Sequence, residues 1–263
     1  MRVNNRWLAV LLLLSALPLS GCGFLQMLRA RDYSNKGVKA FADQKYDAAA
    51  QFFEKAIQED PKFEVARLYL ATSYMSMFVP GSPDPKSEKM AMKAIETFEF
   101  IANNAENIEN KKSAMVAVAS LYYQMKRADE SKEWCNKVLK IDPTAAEAYY
   151  RIAVVDYDAA FEKTGVQGES IAYMSADEKA SVKAWIDEGL LCLAKAIELK
   201  PNYWDAMEYQ NLLFREKAKF ESDDKIKTDL IRKADAISLE VVKGKLKAQE
   251  EERKKPKKLG LIK

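Results

Sequence analysis

The sequence predicts an all-α protein, an α-solenoid of about five stacked helix hairpins with two inserted loops and a long C-terminal helix. Three observations carry this. Nine Gly and eight Pro in 263 residues leave few places for helices to break. Apolar residues recur at helical spacing along almost the whole length, and no segment alternates as a half-buried strand would. One spacing of small and apolar residues then returns along the chain, each time ending on a proline.

The chain opens with MRVNNRWLAVLLLLSALPLSGC. Arg2 and Arg6 make a short positive segment, and an apolar stretch from Trp7 ends near Leu19. That stretch is too short for a membrane-spanning helix, which needs roughly 20 residues. A positive start, a short apolar core and small residues behind it describe a secretory signal over residues 1–21. Leu19-Ser20-Gly21-Cys22 resembles the bacterial lipobox, which implies that the Cys22 thiol is acylated and becomes the new N-terminus. Gly23 rather than Asp follows it, and resemblance to enterobacterial lipoproteins then implies the outer membrane, facing the periplasm. Residues 22–30 read as a short lipidated tether, 31–252 as the solenoid and 253–263 as a basic tail.

The first hairpin lies in GVKAFADQKYDAAAQFFEKAIQEDP, Gly37 to Pro61. Gly37 and Ala49 are small enough to let two helices approach, Phe53 fills the space beside them, and Ala56 leaves room for the next hairpin. Pro61 ends the second helix, because it lacks an N–H and restricts the residue before it. Ala119, Ser131, Cys135, Val138 and Pro143 repeat these separations, and Gly189, Leu193, Ala196 and Pro201 repeat the last part. The pattern resembles the tetratricopeptide repeat, a helix hairpin of about 34 residues. Tyr33 and Tyr46 also fall on its aromatic places, whereas Lys36 and Ala40 depart from it.

Spacing between the prolines predicts insertions. Pro61 to Pro143 is 82 residues and Pro143 to Pro201 is 58, neither a whole number of repeats. The first insertion is VPGSPDP, residues 79–85, between helices predicted over Glu64–Met77 and Lys86–Asn103. Three prolines and a glycine exclude helix there. The second, residues 163–174, follows a helix predicted from Ala145 to about Glu162. Ser175-Ala-Asp-Glu restarts the helix as a capping box, and Thr144 to Glu147 has the same signature. A last hairpin is predicted from Tyr203 to about Phe220 and from Asp224 to about Glu252.

Composition restricts the chemistry. There is no histidine, which excludes imidazole bases and the commonest zinc ligand sets. No glycine-rich nucleotide loop or exposed cysteine pair appears, so the sequence points to a non-catalytic protein without cofactor or metal. Cys135 and Cys192 could pair in an oxidising compartment, but their core spacing suits two buried small apolar residues better. After removal of residues 1–21, the body from Cys22 to Val242 holds 31 basic and 36 acidic residues, and Lys243 to Lys263 holds nine and three. An acidic body therefore carries a basic tail. The tail is read as a solvated end, or as a contact to anionic lipid, cell-wall polymer or a partner; nucleic acid is not an expected partner.

Solenoid repeats bind protein segments on the face formed by the first helix of each hairpin. The register puts Val38 and Phe41 there, with Leu68, Thr72, Met75, Val116, Tyr123, Tyr150, Val154 and Tyr157. Ser34, Ser120, Leu212 and Arg215 occupy matching places. This apolar, tyrosine-rich stripe suits a hydrophobic or amphipathic segment. Chaperone-binding members of the family grip a carboxylate with Lys, Asn and Arg. Tyr69 and Ala117 stand where that clamp needs Asn and Arg, so no such clamp is expected. The resemblance implies docking or scaffolding in the cell envelope, as in pilot proteins of pilus secretins or accessory subunits of outer-membrane protein insertion. The alternative is a lipoprotein that associates with itself.

Overall fold

The computed structural model describes residues 19–254. Most of the signal segment and the end of the tail lie outside these residues. Ten α-helices follow in order: α1 Leu19–Ala42, α2 Tyr46–Glu59, α3 Glu64–Met77, α4 Pro85–Asn104, α5 Ile108–Gln124, α6 Ala128–Ile141, α7 Ala146–Thr164, α8 Ala176–Leu199, α9 Trp204–Lys219 and α10 Asp224–Lys254. A single 3₁₀ turn, Ile171–Tyr173, sits between α7 and α8. Among the described residues there is no strand.

The proline rule operates as the sequence predicts. Asp60, Asp142 and Lys200 precede Pro61, Pro143 and Pro201, and all three adopt nearly the same non-helical conformation, with φ between −135° and −133° and ψ between 85° and 95°. Each donates its N–H to the register residue four before it, Ala56, Val138 or Ala196. The next helix opens at Glu64, Ala146 or Trp204, the same distance past the proline each time. All three sets of register residues are buried: Ala49, Phe53 and Ala56; Ser131, Cys135 and Val138; Gly189, Leu193 and Ala196. Within the hairpins, Gln44 and Lys126 turn the chain in the left-handed region, at φ 60° and 62°.

The helices form two compact units divided between Lys126 and Arg127. In the first unit α1 to α5 pack each on the next, and α1 also touches α3. In the second, α6 to α10 do the same, and α7 also touches α9. The core of the second unit includes Ala153, Ala160, Val182, Ile186, Leu193 and Leu213.

Residues 22–30, read from the sequence as a short tether, lie within α1. One local expectation is corrected. Thr144 does not cap α7: its hydroxyl donates to Asp142 at 2.6 Å and its N–H to the same oxygen at 3.0 Å, leaving Ala145 at the cap without a side-chain bond. The Ser175 capping box does form, with bonds of 3.2 and 2.9 Å exchanged with Glu178.

Both insertions are ordered. In the first, Ser87 ties back to Val79 through bonds of 2.8 and 3.0 Å, and Asp84 caps α4. In the second, Gly165 and Gly168 turn the chain at φ 74° and 81°. The ammonium of Lys219 on α9 donates to the Gly165 carbonyl at 2.7 Å and to buried Glu216 at 2.6 Å, and Thr164 donates to Glu216 at 2.7 Å. The insertion is thus fastened to α9 at its first residue.

Candidate functional site

The residues that the register puts on one face fall in both units. In the first, Val38, Leu68 and Val116 are exposed, while Phe41, Thr72, Met75 and Tyr123 are half-buried. Phe41 meets Tyr46 and Tyr69 edge-on, with centroids 5.2 and 5.8 Å apart, and Tyr69 stacks on Phe53 at 5.3 Å. The Thr72 hydroxyl is spent on its own helix, donating to the Leu68 carbonyl at 2.8 Å. This face offers apolar contact with little hydrogen bonding.

The second unit holds a denser arrangement. Tyr203, Tyr150, Tyr209, Tyr157 and Phe161 form a continuous row, with successive centroids 5.1, 5.6, 5.4 and 5.7 Å apart. Two of these contacts are close to perpendicular, at 82° and 85°, the edge-to-face geometry that aromatic quadrupoles favour. The four tyrosines pack on the core of the unit and stay half-buried, so each keeps an edge in solvent. Burial pushes the hydroxyls of Tyr150, Tyr157 and Tyr203 up to about 12, with nearby carboxylates adding to the shift. At neutral pH they are therefore protonated and able to donate. Lys200 covers the Tyr203 ring at 4.3 Å while pairing with Glu147, and Lys219 lies 5.3 Å from the Phe161 centroid.

Of the predicted residues in this unit, Tyr150 and Tyr157 join the row. Val154 does not: it is 2% exposed and belongs to the core. Tyr203, Tyr209 and Phe161 are not among the expected positions. Tyr203 stands at the start of α9 and Tyr209 in its second turn, whereas matching by register selects Leu212 and Arg215. Arg215 is bonded to Asn211 and paired with Asp235.

A second feature lies on the first unit. A cavity of about 650 Å³ between α2, α3 and α4 is lined by Glu54, Arg67, Tyr74, Lys93 and Phe100, among others. The Arg67 guanidinium covers the Phe100 ring at 3.9 Å and donates to the Pro61 carbonyl at 2.7 Å. Tyr74 donates to Glu54. No local spacing joins these residues, so the sequence alone does not reveal them.

The remaining chemically distinctive groups are buried or half-buried. Asp156 is 1% exposed, with one oxygen bonded to Lys132 at 2.6 Å and the other without a partner. Lys132 also reaches Glu188 at 2.8 Å. Cys135 and Cys192 are free thiols, both pushed up to about 12 by burial, which leaves almost no thiolate at neutral pH. Among the described residues no group of three His, Cys, Asp or Glu could hold a metal ion, and no helix is long and apolar enough to cross a membrane.

Family models described as tetratricopeptide repeat match residues 40–77 and 112–144. The chain carries tetratricopeptide repeats. No curated protein matches it. Among solved structures it resembles a crystal structure of MamA at 16% identity and TM-score 0.56, covering 89% of this chain and 98% of that one. It also resembles MamA from Desulfovibrio magneticus, at 11% identity and TM-score 0.55 over 83% and 96% of the two chains. A third likeness is to YrrB, a tetratricopeptide protein with an unusual peptide-binding site, at 15% identity and TM-score 0.50 over 83% and 90%. At these identities the likeness is one of fold, a solenoid of helix hairpins.

Proposed function

We propose that this protein is a non-catalytic adaptor that binds protein segments in a bacterial cell envelope, held to the membrane by lipid on Cys22. The observation that carries the binding reading is the row from Tyr203 to Phe161, five aromatic side chains at the edge of one core, four of them tyrosines that can donate from their hydroxyls. Such a row offers large, stiff, apolar contact area together with hydrogen-bond donors, which suits a hydrophobic or amphipathic segment. The peptide-binding site of YrrB adds a precedent on a similar fold. The lipobox and the short apolar segment before it support the anchor, and Gly23 favours the outer membrane. A scaffold for pilus or outer-membrane assembly is the role we assign on that basis.

The test has two arms. Labelled palmitate fed to cells should enter the wild-type chain and not a Cys22→Ser variant. Partner segments recovered with the purified protein should bind it, and Tyr157→Glu should weaken that binding at least tenfold while leaving the helical circular dichroism unchanged. Equal binding by wild type and Tyr157→Glu would remove the row from the account.

A further inference from the structure

The first helix continues well beyond its packing. From Ala30 onward one face of α1 lies against α2, with Ala30, Ser34, Gly37 and Ala40 buried. Before Ala30, Met27 is half-buried, but three other large side chains point into solvent: Phe24, Leu25 and Leu28 are 58%, 54% and 44% exposed. Three large apolar side chains within five residues, at one end of one helix, form a local patch rather than scattered surface residues.

Their angular positions are informative. Each helical residue advances by about 100°. Phe24, Leu25 and Leu28 therefore share a stripe about 100° wide, on the side opposite Ala30, Ser34 and Gly37. Arg29 and Arg31 fall on its two borders. Arg31 makes no ion pair among the described residues, and Arg29, 64% exposed at its side chain, reaches Glu59 only at 3.9 Å. One turn further on, the same side becomes polar, with Asp32, Asn35, Lys36 and Lys39. Lys36 is tied to Asp32 at 2.6 Å. The apolar stripe is thus confined to the turns directly behind Cys22 and is edged by cations.

A short apolar stripe with arginines on both borders is the pattern of a helix that lies in a bilayer interface, where apolar side chains sink below the headgroups and the cations stay at the phosphates. We propose that residues 23–31 form an interfacial membrane-binding segment, with Phe24, Leu25 and Leu28 inserted at the headgroup–acyl boundary and Arg29 and Arg31 against lipid phosphate. This rests on the reading of Cys22 as the acylated residue. Leu28 is six residues past it, a rise of about 9 Å, so acyl chains on Cys22 hold the whole stripe at the leaflet surface. The segment then acts as a second attachment beside the lipid and lays the start of the first helix along the membrane.

The test uses the full mature chain with Cys22→Ser, which carries no acyl chains, and vesicles of phosphatidylethanolamine with phosphatidylglycerol. The protein should sediment with these vesicles. Combined Phe24→Ser, Leu25→Ser and Leu28→Ser should reduce vesicle affinity about tenfold or more. Arg29→Gln and Arg31→Gln should each reduce it about fivefold at low salt, and not on vesicles without anionic lipid. The tryptophan of Phe24→Trp should shift its emission to the blue on vesicles. All these side chains are exposed, so unchanged helical circular dichroism shows that the variants fold. Failure of the acyl-free protein to bind, or equal binding by the triple serine variant, would overturn the proposal. Palmitate labelling of Cys22 is scored separately: label without vesicle binding sinks this segment and keeps the anchor, whereas vesicle binding without label keeps the segment and sinks the anchor.

Discussion

A Cβ placed on Gly37 would stand 2.7 Å from Cε1 of Phe53. The contact joins the two helices of the first hairpin and explains why the smallest residue and a large ring stand opposite each other. Phe53 is fully buried and stacked on Tyr69 at 5.3 Å, so its ring cannot withdraw. Gly37→Ala gains about 1 kcal/mol of helix propensity but overpacks the core by roughly 1–3 kcal/mol. The expected outcome in urea denaturation is a net loss of up to about 2 kcal/mol. Phe53→Ala, which empties the same site, should cost about 3–5 kcal/mol. An unchanged midpoint for Gly37→Ala would show that the hairpin relaxes more easily than its packing implies.

Gln44 turns the first hairpin at φ 60°, a conformation that costs a non-glycine residue about 1–2 kcal/mol. It is exposed. Gln44→Gly should therefore raise stability by up to about 1 kcal/mol, the larger unfolded-state entropy of glycine offsetting part of the relief. A fall in melting temperature would contradict this.

Asp156 predicts an unusual pH response. Burial pushes its carboxyl up to about 6, against the opposing effect of Lys132. Burial also pulls Lys132 down, but its bonds to Asp156 and Glu188 outweigh this and hold it above its usual value. Because the folded pKa of Asp156 exceeds the unfolded one, its contribution to stability is greatest below pH 4 and is lost as pH rises through about 6. Asp156→Asn removes this titration and keeps an oxygen for Lys132. The stability of wild type relative to Asp156→Asn should thus increase as pH falls from about 7.5 to 4.5, by on the order of 2 kcal/mol. A pH-independent difference between the two would refute the assignment. Lys132→Met, which leaves the carboxylate without a cation, should cost about 3–5 kcal/mol at neutral pH.

Lys219 fastens the second insertion by its bond to the Gly165 carbonyl. Lys219→Met removes that bond and leaves Glu216, 3% exposed, without its cation. Limited proteolysis should then cut within residues 165–174 well before it cuts the wild type. Ser175→Ala, which removes only the cap of α8, should cost about 1 kcal/mol and leave the insertion as resistant as before. Equal cleavage of wild type and Lys219→Met would show that the insertion is held by its other contacts.

Much of this fold is legible because it is written in short-range rules. Pro61, Pro143 and Pro201 mark helix ends through the conformation they impose on the residue before them, and Gly37 and Phe53 mark a helix approach through size alone. The start of α1 is not legible, since residues 22–30 read as a short tether behind the lipobox and nothing local shows that the helix continues through them. Thr144 misleads because Asp142, two residues away, competes for its hydroxyl. The surface is legible only in part. Apolar spacing finds the stripe of α7 but cannot separate Val154, covered by its neighbours, from Tyr150 and Tyr157 on the same stripe. Arg67 and Phe100 meet across 33 positions, where no periodicity reaches.

In the proposed adaptor, the tyrosine row of the second unit receives a segment of another protein. A photo-crosslinking amino acid placed at Tyr157 or Tyr209 in living cells tests it most directly, with Leu191 on α8, 74% exposed and outside the row, as the control position. The account predicts a covalent adduct to a distinct envelope protein from Tyr157 and Tyr209 and none from Leu191. Adducts only to a second copy of this chain, or equal labelling from all three positions, would contradict it.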